Sequence, residues 1–167
     1  MTSDVIVRPA HQADVSDIQH VASEAWHAAY DGILGPDVVE EFLDEWYEDD
    51  AVEAGVEHEA QDFVVAVRDD QVIGYAHVGP HPPKRTYRLY RIYVHPDDWG
   101  EGIGRQLLAE IEQELYDRDV TVYEAEVLAD NEVGVSFYES TGFERVDERE
   151  TEMKGVSADE YLYRKRL

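Results

Sequence analysis

The run Leu89-Tyr90-Arg91-Ile92-Tyr93-Val94-His95-Pro96, followed by Trp99-Gly100-Glu101-Gly102-Ile103-Gly104-Arg105-Gln106-Leu107-Leu108, decides how this chain folds. Its first half is aromatic and β-branched and stops at a proline, which predicts a strand. Its second half spaces three glycines two residues apart, ahead of a helix with Ile103, Leu107, Leu108, Ile111 and Leu115 on one face. A strand therefore feeds a glycine-rich turn and then a helix. The first amides of a helix have no partner within it and sit at the positive end of its dipole. Without Cβ atoms in front of them they suit a diphosphate. The alternative is that the glycines only let the turn pack tightly on the strand. A P-loop would need Gly-Lys-Ser/Thr, where this chain has Gly104-Arg105-Gln106. A dinucleotide fingerprint would need Gly-x-Gly-x-x-Gly early in a βαβ unit, and here the glycines alternate past mid-chain.

Outward from this core, residues 5–8 read as a strand, and Asp14 as the N-cap of an amphipathic helix that ends near Gly32. A second helix is predicted over 38–47, and the acidic stretch 48–62 reads as loop with some helix. Residues 63–67 and 72–78 form a hairpin across Asp69-Asp70, and the loop 79–83, with its prolines, breaks the sheet. Beyond the glycine helix, 120–128 is a strand, and Asn131 caps a short helix through Tyr138. Gly142 stands where a helix C′ residue belongs, and two last strands fall at 144–154 and 160–167.

Thirty-nine acidic residues against 14 basic ones give a net charge of −25. A basic face for nucleic acid is absent, so that class of partner is excluded. Disorder is excluded too, because the 43% of hydrophobic residues fall into periodic segments. The acidity fits a halophilic-type protein working in molar internal salt, where self-repulsion is screened within about 3 Å, an expectation that the salt dependence of melting tests. With no cysteine there is neither disulfide nor thiolate chemistry. His27, His77, His81 and His95 lack metal-ligand spacing, and no metal is expected. No apolar run approaches the ~20 residues of a membrane span, and Met1-Thr2-Ser3-Asp4 opens no signal-peptide pattern. A soluble cytoplasmic protein is expected. Lys84, Arg85, Arg88, Arg91 and Arg105 gather scarce positive charge around the strand and turn, either as a solvated face or against phosphates.

Taken together, Leu89 to Pro96, Gly100 to Leu108, and Asn131 through Phe137-Tyr138-Glu139-Ser140-Thr141-Gly142-Phe143 closely resemble the GNAT (Gcn5-related N-acetyltransferase) family, over about residues 85–147. Ala25-Trp26-His27-Ala28-Ala29-Tyr30-Asp31-Gly32-Ile33 looks like the acceptor-side helix and loop of one branch. There are two departures. Trp99 stands where the family usually has Arg or Gln, leaving more of the pyrophosphate to backbone amides. Gly134 stands where it usually has Ala, which by propensity merely weakens a helix turn.

The resemblance implies an α+β fold of the three-layer α/β/α type: a single domain over 1–167, with a mixed, mostly antiparallel central sheet splayed between two parallel strands and flanked by helices. It implies an N-acetyltransferase that moves the acetyl group of acetyl-CoA to a primary amine by direct attack in a ternary complex. The acceptor stays open among a protein N-terminus, a lysine, a polyamine, an aminoglycoside and an amino acid. The alternative is a non-catalytic acyl-CoA-binding or sensing module. A homodimer is compatible with the resemblance.

By position, the backbone of Ile92, Tyr93 and Val94 would bind pantetheine, and Gly100, Glu101, Gly102, Ile103, Gly104 and Arg105 the diphosphate. Asn131 and Tyr138 would also contact the cofactor. Tyr138 would protonate the leaving thiolate. Glu126 would be the base that deprotonates an amine of pKa ~10.4, unless it is one more acid among many; strand alternation puts Glu124 on its face. Trp26 and Tyr30 lie four residues apart on one helix face and read first as packing, although an aromatic pair at the acceptor side could hold an amine.

Overall fold

Asp69 and Asp70 both take positive φ, 52° and 63°, as the type I′ turn of a tight hairpin requires. They join β2 (Asp62–Arg68) to β3 (Gln71–His81). The computed structural model describes residues 4–82 and 86–167. Around this hairpin lie β1 (Ile6–Pro9), β4 (Thr86–Val94), β5 (Val122–Leu128), β6 (Glu144–Met153) and β7 (Val156–Arg166), in one sheet ordered β1-β2-β3-β4-β5-β7-β6. Every pairing is antiparallel except β4 with β5. The expected mixed, mostly antiparallel sheet is therefore present.

Among the described residues five α-helices cover the two faces: α1 (Val15–Leu34), α2 (Pro36–Trp46), α3 (Asp49–Glu57), α4 (Ile103–Asp117) and α5 (Glu132–Ser140). Because both faces are covered, β2 is a continuous apolar run instead of an alternating one. Phe63 and Val65 join the core under α1–α3, while Val64 and Ala66 join the core under α4 and α5. Among the described residues no helix is long and apolar enough to cross a membrane.

Several boundaries differ from expectation. Gly32 does not stop α1; the helix runs to Leu34 and ends at Gly35, whose φ is 88°, with Pro36 opening α2. Asp14 precedes α1 without capping it. Its buried carboxylate accepts two hydrogen bonds from Arg8, at 2.8 and 3.0 Å, and one from the His11 amide. The 79–83 segment does not break the sheet at once, because β3 continues through Pro80 to His81. β2 stops opposite Val78, so beyond it β3 has one free edge, and there the missing proline N–H costs no ladder bond. β7 starts at Val156, earlier than predicted, because Lys154 and Gly155 (φ 50° and 86°) close a tight hairpin with β6.

Candidate active site

The parallel pairing of β4 with β5 lasts only from Tyr87↔Tyr123 to Leu89↔Ala125. At the next residue β4 bulges: Leu89 faces Val78 and Arg91 faces His77 on β3, leaving Tyr90 as the extra residue. A bulge bends its strand, and from Tyr90 onward the two strands separate. A cavity of about 340 Å³ occupies the opening. Ile92, Tyr93 and Val94 line one wall; Gly100, Gly102, Ile103, Gly104 and Arg105 close one end, and Asn131 and Tyr138 line the α5 side. Glu101 is not part of this lining; its carboxylate holds Arg68 at 3.3 Å.

Gly100 and Gly102 each have φ 82°, and a Cβ on either would meet nothing within 4 Å, so the space in front of the turn is open. Gly102 begins α4 without a side-chain cap, and the first intrahelical amide is that of Gln106, bonded to the Gly102 carbonyl at 3.1 Å. Among the described residues the amides from Gly102 to Arg105 thus have no acceptor, and they stand at the positive end of a helix, as a diphosphate requires. Gly104 follows the packing alternative, because a Cβ there would lie 3.0 Å from the Phe137 ring. Trp99 donates its indole N–H to the Val94 carbonyl at 2.8 Å and so ties the turn to the end of β4. Of the cationic cluster, Arg105 reaches the Ser140 carbonyl, while Lys84 and Arg85 lie outside the described residues. Arg88 and Arg91 do not line this cavity and face another.

Asn131 caps α5 by accepting the Gly134 amide at 3.0 Å. That fixes the amide orientation, so its NH2 group donates to the Tyr30 hydroxyl at 3.3 Å. The Tyr30 and Tyr93 hydroxyls are 3.0 Å apart. The pair owns two hydroxyl hydrogens and spends one in its mutual bond, so one remains for a third partner. Burial holds both phenols above their usual pKa, and they stay neutral. Gly134 has a role that propensity does not show: a Cβ there would lie 2.8 Å from the Asn131 amide nitrogen and 2.9 Å from Val127. Tyr138 is buried against Tyr163 and Phe143, and its hydroxyl has no partner among the described residues. Burial raises its pKa, leaving a neutral O–H beside the cavity.

Glu126 also lines this cavity, but its Oε1 accepts from Arg88 and, at 2.7 Å, from Arg149. Glu124 does share its face. It is buried, receives two bonds from Arg164 at 3.0 and 2.7 Å, and lies 3.8 Å from Arg88. These arginine partners escaped the sequence reading, because Arg149 meets Glu126 only once β6, β7 and β5 are side by side.

A second cavity, of about 500 Å³, opens on the α1–α2 side and shares Tyr30, Tyr90, Tyr93, Glu126 and Val127 with the first. Trp26 lines this one alone, packed on Tyr30 at 4.8 Å with its N–H toward the Tyr47 hydroxyl. Among the described residues no group of three or more His, Asp or Glu side chains could hold a metal ion.

A model of the acetyltransferase (GNAT) domain matches residues 24–164. Over 106 residues the chain is 36% identical to the N-alpha-acetyltransferase RimI of Mycobacterium tuberculosis, covering 62% of this chain and 65% of that one. Over 145 residues it is 26% identical to a spermidine N(1)-acetyltransferase of Thermoplasma acidophilum, covering 84% and 89%. It spans 28% of a Mycobacterium leprae protein to which it is 35% identical over 105 residues, covering 62% of this chain. The crystal structure of the PaiA N-acetyltransferase of Thermoplasma acidophilum, in complex with coenzyme A, superposes with a TM-score of 0.86 at 23% identity, over 98% of this chain and 99% of that one. At that identity the likeness is one of fold.

Proposed function

This chain belongs to the acetyltransferase (GNAT) family, and we propose that it transfers the acetyl group of acetyl-CoA to a primary amine by direct attack in a ternary complex. One observation carries the reading: a cavity ending at free helix amides meets a second cavity at Tyr30, Tyr93 and Glu126. The first suits acetyl-CoA and the second an acceptor, so transfer belongs where they join. When bound, acetyl-CoA supplies an acetyl group activated as a thioester.

In this reading the amides of Gly102 to Arg105 hold the diphosphate, and the backbone groups of Ile92 and the N–H of Val94, which point away from β3 and are freed from β5 by the splay, hold the pantetheine arm, whereas Tyr93 spends its backbone groups on Tyr75. A preorganised β4 amide or the spare Tyr30–Tyr93 hydrogen stabilises charge developing on the carbonyl oxygen. As the acceptor nitrogen bonds to the acetyl carbon and the carbon–sulfur bond breaks, Tyr138 gives its proton to the departing sulfur. Glu126 receives the proton that the nitrogen sheds, at Oε2, since Oε1 is held by the arginines. Solvent then returns the proton from Glu126 to Tyr138, and the charges balance.

The test is calorimetric titration of acetyl-CoA into the wild type, Gly102→Ala and Gly102→Glu. Both variants carry the same backbone strain, about 1–2 kcal/mol for a side chain at positive φ. Only Gly102→Glu would also send a carboxylate into the open space before the turn. Gly102→Ala is expected to bind within about tenfold of wild type and Gly102→Glu not at all. Folded wild type that does not bind acetyl-CoA would overturn the proposal.

A further inference from the structure

Five buried side-chain polar atoms lack a hydrogen-bond partner among the described residues: Arg68 Nε, His77 Nδ1, Thr86 Oγ1, Arg88 Nε and Arg91 Nη1. Three of the five, on His77, Arg88 and Arg91, belong to side chains that line the second cavity. Buried polar groups in native proteins are nearly always satisfied, so these three orphans mark side chains beside the cavity whose hydrogen-bonding capacity the fold does not use up. Two of these atoms are guanidinium nitrogens, which only donate. What these side chains lack is acceptor oxygens, which a ligand in the cavity would offer to the accessible part of the Arg91 guanidinium.

The bulge explains how two arginines come to line the same cavity. Residues three apart on a regular strand point to opposite faces. The extra residue at Tyr90 resets the alternation, so Arg88 and Arg91 flank the bulge on one face.

Charge points the same way. Arg88, Arg149 and Arg164 are matched by Glu124, Glu126 and Glu160 in one connected network. Arg91 pairs with no carboxylate among the described residues. One of its nitrogens donates to the Trp46 carbonyl at the end of α2, at 2.7 Å, and its guanidinium lies 4.5 Å over the Tyr47 ring. A helix end carries only about half a charge, so a positive excess remains. In a chain with 39 carboxylates and 14 basic residues, an unmatched arginine in this cavity runs against the overall charge. His77, opposite Arg91, adds no countercharge and is held neutral, first by burial and then by Arg91, with its pKa pushed down to about 3. Trp26, Trp46 and Tyr90 supply apolar wall.

We infer that the acceptor is a small amine carrying an anionic oxygen group, a carboxylate or a phosphate, which Arg91 binds in the second cavity. This rests on the acetyl-transfer reading and narrows it. Glu126 and Glu160 also line this cavity but are already held by Arg88 and Arg149, so the excess at Arg91 disfavours a polycationic acceptor and lowers the proton affinity of the amine, favouring the neutral nucleophile.

The experiment titrates protein saturated with coenzyme A, which cannot turn over, with matched probes at one ionic strength. L-phenylalanine is set against phenethylamine, O-phosphoethanolamine against ethanolamine, and spermidine is a further arm. At least one anionic amine is expected to bind about tenfold to a hundredfold more tightly than its counterpart. The carboxylate and phosphate arms tell the two sources apart, and Arg91→Gln is expected to abolish the difference. Counterparts or spermidine binding as tightly, or no anionic amine binding to protein that binds coenzyme A, would overturn the inference. Failure to bind coenzyme A at all would instead bring down the acetyl-transfer reading. Should Arg91→Gln not fold, having lost its bond to the end of α2, the wild-type contrasts decide alone.

Discussion

Gly134 is the third residue of α5, and Gly134→Ala tests whether local propensity or tertiary contact governs the Asn131 cap. By propensity alone alanine is favoured over glycine in a helix by up to ~1 kcal/mol. The structure opposes this: the new Cβ would lie 2.8 Å from the Asn131 amide nitrogen and 2.9 Å from a Val127 methyl. Real contacts are not that short, so both Asn131 and Val127 must move. Displacing the cap costs about 1 kcal/mol, and overpacking at Val127 about 1–3 kcal/mol more. Set against the propensity gain, the net is a loss of about 2 kcal/mol. In a domain of this size each kcal/mol moves the melting temperature by about 2–4 °C, so a fall of about 4–8 °C is expected. Thermal unfolding of the two proteins by circular dichroism, in one buffer, reads it. A variant that melts at or above the wild-type temperature would refute the reasoning, because propensity would then have outweighed the contact. Asn131 also donates to Tyr30, so the same substitution is expected to weaken catalysis.

His77 gives a pH dependence with a definite sign. Its folded pKa is depressed from 6.5 to about 3, so the unfolded chain binds the extra proton. The stability it contributes is complete above pH 6.5 and drains away as the pH falls toward 3. Between pH 7 and 5 the wild type is expected to lose about 2 kcal/mol that His77→Phe does not, at 1.36 kcal/mol per pH unit below 6.5. Urea unfolding of both proteins at the two pH values measures this, and equal losses would contradict it. The Tyr30–Tyr93 pair predicts a synergy: each single phenylalanine variant keeps one phenol hydrogen at the passage, and the double variant keeps none. Singles are expected to lose a few-fold in kcat and the double about 10²–10³-fold, with KM for acetyl-CoA little changed. A double loss no larger than the product of the singles would count against a shared donor.

Much of the scaffold was legible in the chain because the signals were local. The β4 strand, the glycine turn and the apolar face of α4 lie within one short segment, and periodicity and missing Cβ atoms are properties of such segments. The Asn131 cap and the positive φ of Gly142, 93°, were readable for the same reason. The boundaries that went astray turned on neighbours. Asp14 looked like a cap until Arg8 took its carboxylate, and Pro80 looked like a breaker until β2 ended opposite Val78.

By itself the sequence determined most of the order of elements, the glycine turn at the start of α4, and the family. Tertiary structure alone decided which side chains meet. Tyr30 and Tyr93 are 63 positions apart yet share a hydrogen bond, and Arg149 reaches Glu126 across 23. One unpaired residue at Tyr90 opens the sheet and turns Arg88 and Arg91 to the same cavity. The physical reason is that dihedral preference and periodicity act within a few residues, whereas a side chain's partners are set by how distant elements pack. A carboxylate reads as a base, a cap or half of an ion pair only once its neighbours are in place.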